Sequence, residues 1–149
     1  MKRVNIFSVK LVKESGKLYE IEGKSATSPS DAVDIVNAVF DLENLPKEHF
    51  VILCLSTKNT VVGAHIVHIG TVNASMVSPR DVFQLAILNN ASSIIAFHNH
   101  PSGNPTPSKE DKGITLRLKQ AGELLGIELL DHIVVGNGRY KSLREEGVF

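Results

Sequence analysis

Ser93-Ile94-Ile95-Ala96-Phe97-His98-Asn99-His100, then Pro101-Ser102-Gly103-Asn104-Pro105-Thr106-Pro107, then Ser108-Lys109-Glu110-Asp111, is the stretch on which the fold turns. Ser93 to Phe97 is a short apolar run that predicts a buried strand running straight into His98. Residues 101 to 107 hold three prolines and a glycine, which predicts an irregular, stiffened loop. Pro107-Ser108 opens a helix to about Leu125, with Ile114, Leu118, Ala121 and Leu125 along one face. Gly126 stops that helix, because glycine tolerates the left-handed conformation that helix ends adopt.

The histidines stand two apart where the strand ends, so their side chains face the same way, with Cα atoms about 6.5 Å apart at ~3.3 Å per residue. Two imidazoles so placed can converge on one ion at Zn–N distances of about 2.0–2.1 Å. Asp111 falls in the first turn of the next helix, and the rigid loop can fold that turn back over the pair. Two histidines and a carboxylate leave a fourth tetrahedral position open, where zinc lowers the pKa of water from about 15.7 towards about 7. A second reading of Asp111 stands beside this one: three residues after Ser108, it completes a capping box.

Outward from this centre the chain reads as alternating strands and helices. Residues 4 to 12 are β-rich, and Glu14-Ser15-Gly16-Lys17 predicts a turn into a second strand, Leu18 to Ile21. Ser28 or Ser30 caps a helix over about 31 to 42, with Ala32, Ile35, Val36 and Val39 on one stripe. Phe50 to Leu55 and Val61 to Ile69 read as strands joined by a turn at Thr57-Lys58-Asn59. Ser78-Pro79 starts a helix that ends at Asn89-Asn90. Glu128 to Val135 and Arg139 to Leu143 form a last hairpin around Gly136-Asn137-Gly138. The order βαββαβαββ predicts one α/β (α+β) domain, a mixed sheet with flanking helices.

Composition narrows the function classes. A chain of 149 residues with 42% apolar content can bury one core. Sixteen basic residues balance sixteen acidic ones, so nucleic acid stays open as a partner without support from charge. No apolar stretch approaches the ~20 residues needed to cross a membrane, and no signal peptide is evident, so a cytoplasmic location and no membrane partner are expected. Cys54, the single cysteine, lies in an apolar strand and reads as a buried small hydrophobe. His65 and His68, three apart on a strand, are expected on opposite faces and so unable to share a metal. His132 reads as a hydrogen-bonded core or edge histidine.

The string His98-Asn99-His100, seven residues, Ser108, two residues, Asp111 resembles the JAMM motif of the MPN (JAB-type) superfamily. Pro101, Gly103 and Pro107 also match positions usual in that motif. Gly70 to Ser75, Pro79 to Phe83, Leu129-Leu130-Asp131-His132 and Gly138-Arg139-Tyr140 look like its RadC branch, and the likeness covers roughly residues 45 to 145. The resemblance implies a zinc metallopeptidase or isopeptidase with one Zn2+ per chain, held by His98, His100 and Asp111. It implies Ser108 at the oxyanion or substrate carbonyl and a glutamate at the head of the first core strand as general acid/base. Glu48 fits that place, with Glu43, Glu110 and Asp81 as weaker candidates. A polypeptide or isopeptide substrate follows from the resemblance alone.

On this reading residues 1–45 are an N-terminal β-hairpin and helix extension, and 46–149 the MPN/JAMM (RadC-like) core. Longer RadC proteins carry an N-terminal helical segment associated with DNA contact. Here about 45 residues precede the core and begin with a strand, which removes that ground for expecting DNA binding. Two other readings remain: a DNA-repair or anti-restriction accessory protein of RadC type, and a non-catalytic MPN scaffold. Such scaffolds usually lose ligands, whereas all three are present here.

Overall fold

The computed structural model describes residues 1–16, 25–73 and 75–149. Its elements are α1 (Pro29–Phe40), a 3₁₀ turn (Leu42–Asn44), β1 (His49–Leu55), β2 (Val61–Ile69), α2 (Pro79–Leu88), β3 (Ser93–Asn99), α3 (Lys109–Leu125), β4 (Glu128–Gly136) and β5 (Arg139–Ser142). The strands form one mixed sheet in the order β2-β1-β3-β4-β5. Only β3 and β4 run parallel, the pair joined by the crossover through α3. The expected α/β class with flanking helices is what the chain adopts.

Burial explains the strand sequences. β1 and β3 lie inside the sheet and are covered on both faces, so Phe50 to Leu55 and Ser93 to Asn99 are buried throughout. On one face Phe50, Ile52, Ile94 and Ala96 meet Val82, Phe83 and Ala86 of α2 and Ile114 and Leu118 of α3. On the other, Val51, Leu53, Ile95, Phe97, Ile133 and Val135 meet Ile35 and Val36 of α1 and Leu42. Cys54 is fully buried in the first core, and burial pushes its thiol up to about 12, so it behaves as a small apolar group.

The helix starts follow from their caps. Ser28 and Ser78 each accept from the backbone N–H three residues on, and each is followed by a proline at the first helical position. Ser108 Oγ likewise accepts from the Asp111 N–H to open α3 at Lys109, with Asp111 answering from its own carboxylate, so the capping box is real. Gly126 ends α3 at φ 72°.

Three expectations need correction. Residues 4 to 12 form no strand: Val4, Ile6, Phe7 and Val9 are exposed, and among the described residues no sheet partner meets them. An isolated two-stranded hairpin is marginal without a face to bury, whatever its β propensity. The other half of that hairpin, 18 to 21, lies outside the described residues. His65 and His68 do not alternate as counted. A bulge near Val67 sets His65 opposite Ile52 and His68 opposite Phe50, partners two apart on one face. α1 runs Pro29–Phe40 instead of 31 to 42, because Ser28 is the cap that forms.

One close approach fixes the proline-rich loop over the end of β4. A Cβ on Gly136 would lie 2.9 Å from the backbone C and O of Gly103. Gly136→Ala should therefore cost about 1–3 kcal/mol, since loop backbone must move to make room. Gly113→Ala, in the exposed first half of α3 with nothing within 4 Å of the new methyl, should instead stabilise by about 0.5–1 kcal/mol. Urea denaturation of the two variants checks the opposite signs; equal effects would refute the contact.

Candidate metal centre

The end of β3 and the start of α3 bring His98, His100 and Asp111 together, and among the described residues no other group of three His, Cys, Asp or Glu could hold a metal ion. His98 Nε2 lies 3.0 Å from His100 Nε2 and 3.1 Å from Asp111 Oδ1, and His100 Nε2 lies 3.3 Å from Asp111 Oδ2. Ligand atoms bound tetrahedrally at about 2.0–2.1 Å stand about 3.3 Å apart, so the spacing suits one ion at the centre. The side chains are 0%, 15% and 3% exposed in the order His98, His100, Asp111, so the cluster opens to solvent at His100.

Hydrogen bonds decide what each group presents to the centre. His100 Nδ1 lies 2.8 Å from the carbonyl of Asn104. A carbonyl only accepts, so Nδ1 carries a proton, and whenever the ring is neutral its Nε2 lone pair faces the cluster. The Asp111 carboxylate adds further lone pairs. Electron-rich atoms this close repel unless a proton or a metal cation lies among them, and the donor set fits a metal ion. Burial would raise the Asp111 carboxyl, but the hydrogen bonds with His100 and His98 prevail and hold it well below the usual carboxylate range. His100 is pushed up, first by its hydrogen bond with Asp111, against the opposing effect of burial.

Ser108 sits at the N-cap of α3. Its Oγ accepts from Asp111 N at 3.0 Å, and its own N–H donates to Asp111 Oδ2 at 2.7 Å. The two readings of Asp111 therefore do not exclude each other: the carboxylate that completes the capping box also faces the histidines. Accepting at Oγ leaves the Ser108 hydroxyl proton available for another partner.

Glu48 lies immediately before β1. Phe50 pairs with His98 in an antiparallel register, so Glu48 falls level with His100, and its negative charge contributes to the raised His100 pKa. Its Oε2 accepts from Val72 N at 2.8 Å. The weaker candidates lie elsewhere: Glu43 accepts from Gly138 N at 3.1 Å, and Glu110 and Asp81 are exposed in helix first turns.

Three residues outside the expected ligand set shape this centre: Asn99 and Thr115, which sequence reasoning passed over, and His132, which it read as a hydrogen-bonded core or edge histidine. Asn99, fully buried between the histidines on the opposite face, accepts from His49 N at 2.7 Å and donates to the carbonyls of Lys47 and Leu45 at 3.0 and 3.2 Å. It thereby clamps the backbone on both sides of Glu48. His132 Nε2 lies 2.9 Å from His98 Nδ1, and His132 Nδ1 lies 2.6 Å from Thr115 Oγ1. Burial pushes the His132 pKa well below the ordinary histidine range, so its ring is neutral. The available signal for Asn99 was its position in a strand buried on both faces, where a polar side chain must find partners.

The comparisons with known proteins agree with this geometry. A family model described as the RadC-like JAB domain matches residues 26–148. A UPF0758 protein of Shouchella clausii is 52% identical over 123 residues, which are 83% of this chain and 53% of that protein. A UPF0758 protein of Staphylococcus haemolyticus is 50% identical over 123 residues, with the same coverage. One from Caldanaerobacter subterraneus is 47% identical over 128 residues, 86% of this chain and 54% of its own length. The chain spans about half the length of the curated relatives it matches. With the family match running from α1 to the chain's end and carrying the His98–His100–Asp111 cluster inside it, this chain belongs to the RadC-like JAB domain family.

Proposed function

We propose that this chain is a zinc-dependent hydrolase that cleaves an amide bond, peptide or isopeptide, with His98, His100 and Asp111 as metal ligands. The observation that carries the reading is the convergence of two imidazole nitrogens, 3.0 Å apart, on the two oxygens of one carboxylate at 3.1 and 3.3 Å, open to solvent at His100. Two imidazole nitrogens and one carboxylate with an open fourth position are the ligand pattern of catalytic rather than structural zinc. Bound there, zinc would supply Lewis-acid polarisation of the scissile carbonyl and water of lowered pKa.

Glu48 is the general acid/base on this reading. The Val72 amide holds one carboxylate oxygen at 2.8 Å, which leaves the other to take a proton from the attacking water. The same group then returns the proton to the leaving amine. Ser108 has two tasks: its backbone and Oγ orient Asp111, and its hydroxyl proton steadies the carbonyl oxygen as that oxygen gains charge. A scaffold without catalysis would not need all three ligands, the acid/base and the backbone clamp around it.

Protein purified without chelator should contain about one zinc per chain by elemental analysis, and His98→Ala or Asp111→Ala should lose most of it. Full zinc retention in the double variant would overturn the site. Glu48→Gln should keep zinc near wild-type occupancy while hydrolysis of a peptide or isopeptide falls by about 10²–10⁴-fold. Zinc loss together with activity would make Glu48 a ligand instead. Ser108→Ala removes a formed cap as well as a donor. It should lower stability by about 0.5–2 kcal/mol in thermal or urea unfolding and turnover by up to about 10²–10³. Unchanged turnover in a destabilised variant would confine Ser108 to its capping role.

A further inference from the structure

The buried polar chain behind His98 has a direction, and the direction can be read from its fixed end. Thr115 Oγ1 lies 2.7 Å from the backbone carbonyl of Asp111, and the only hydrogen on that hydroxyl goes to the carbonyl, which cannot donate. Oγ1 must then accept at its 2.6 Å contact with His132, so His132 Nδ1 carries a proton. The His132 ring is sealed from water and neither of its nitrogens meets a carboxylate, so it holds that single proton and accepts at Nε2, which makes His98 Nδ1 the donor across 2.9 Å. His98 is left with an unprotonated Nε2, and that atom faces His100 and Asp111.

We propose that Thr115 and His132 are positioning residues that lock His98 in the tautomer able to bind a cation. The chain begins on the backbone of Asp111 and ends on His98, so two members of the cluster are tied through it. All of its side chains are sealed from water: Thr115, His132 and His98 are each 0% exposed. Phe50 closes the pocket, its ring stacked on His98 at 6.2 Å and edge-on to His132 at 5.3 Å. No solvent can supply an alternative partner if one link is removed. Histidine ligands generally have the second nitrogen held by another group, and loss of that group weakens metal binding by about 10–100-fold.

This inference rests on the metal reading of the cluster, and two measurements separate the two. Long-range proton–nitrogen NMR of the folded wild-type protein, metal-free and zinc-loaded, should show Nδ1 protonated and Nε2 unprotonated on His132. In the zinc-loaded protein His98 should show the same. A proton on His132 Nε2 would overturn the chain. Zinc affinity, measured by competition with a chromophoric chelator, should fall by about 10–100-fold in His132→Leu and in the near-isosteric Thr115→Val. His132→Gln, whose side-chain oxygen can accept from His98, should recover much of that loss, although Leu is the better apolar filler. Folded variants that bind zinc as tightly as wild type, or Leu and Gln variants that behave alike, would reduce His132 to a packing residue. Wild-type protein that binds no zinc would overturn the metal reading, and the metal-free tautomer spectra would still decide the chain.

Discussion

The carboxylate of Asp111 is held by the backbone N–H of Ser108 at 2.7 Å while the same group faces His98 and His100 at 3.1 and 3.3 Å. The first turn of α3 therefore cannot shift relative to β3 without disturbing either a helix cap or the cluster. A cap satisfies backbone donors that a helix start leaves open, so the local requirement of the helix and the requirement of the site select the same residue. Ser108 and Asp111 serve fold and site through one set of hydrogen bonds.

The sheet supplies the rigidity that makes such a cluster useful. β3 lies between β1 and β4 with both faces covered, and its last residues place His98 inward while Asn99 points to the opposite layer. Asn99 ties down the entrance to β1, and His132 arrives from β4 at the level of Ala96, on the same face as His98. The proline-rich loop is held down by His100 N on Val135 O at 2.9 Å and by the Gly103–Gly136 approach. Three adjacent strands and one helix thus converge on a site whose only open side lies at His100. Family membership agrees with this arrangement, while the proposed hydrolysis rests on the chemistry of the cluster itself.

The site and the fold were legible to different depths. The apolar runs of β1 and β3, the Ser-Pro starts of α1 and α2 and the Gly126 stop of α3 are local signals, and each element formed near its expected place. The His98-x-His100 spacing needed only strand periodicity to be read. Val4 to Val12 had the composition of a strand, but pairing needs a second edge and a face to bury, and no local pattern reports either. A bulge is equally silent in sequence, and one extra residue near Val67 was enough to undo the alternation argument for His65 and His68.

What the sequence by itself determined is what short-range chemistry controls: a strand, a stiff loop and a capped helix, in that order, carrying two histidines and a carboxylate. Those features depend on neighbours a few residues apart, so they are readable without knowing where the rest of the chain goes. Only the tertiary structure decided the surroundings of these groups. Thr115, His132 and Asn99 are ordinary residues in their own segments, and their importance arises from contacts 17, 34 and 50 residues away in the chain. The reason is the cost of burial. A polar group sealed in a core must be matched by partners, and packing alone determines which distant residues those are.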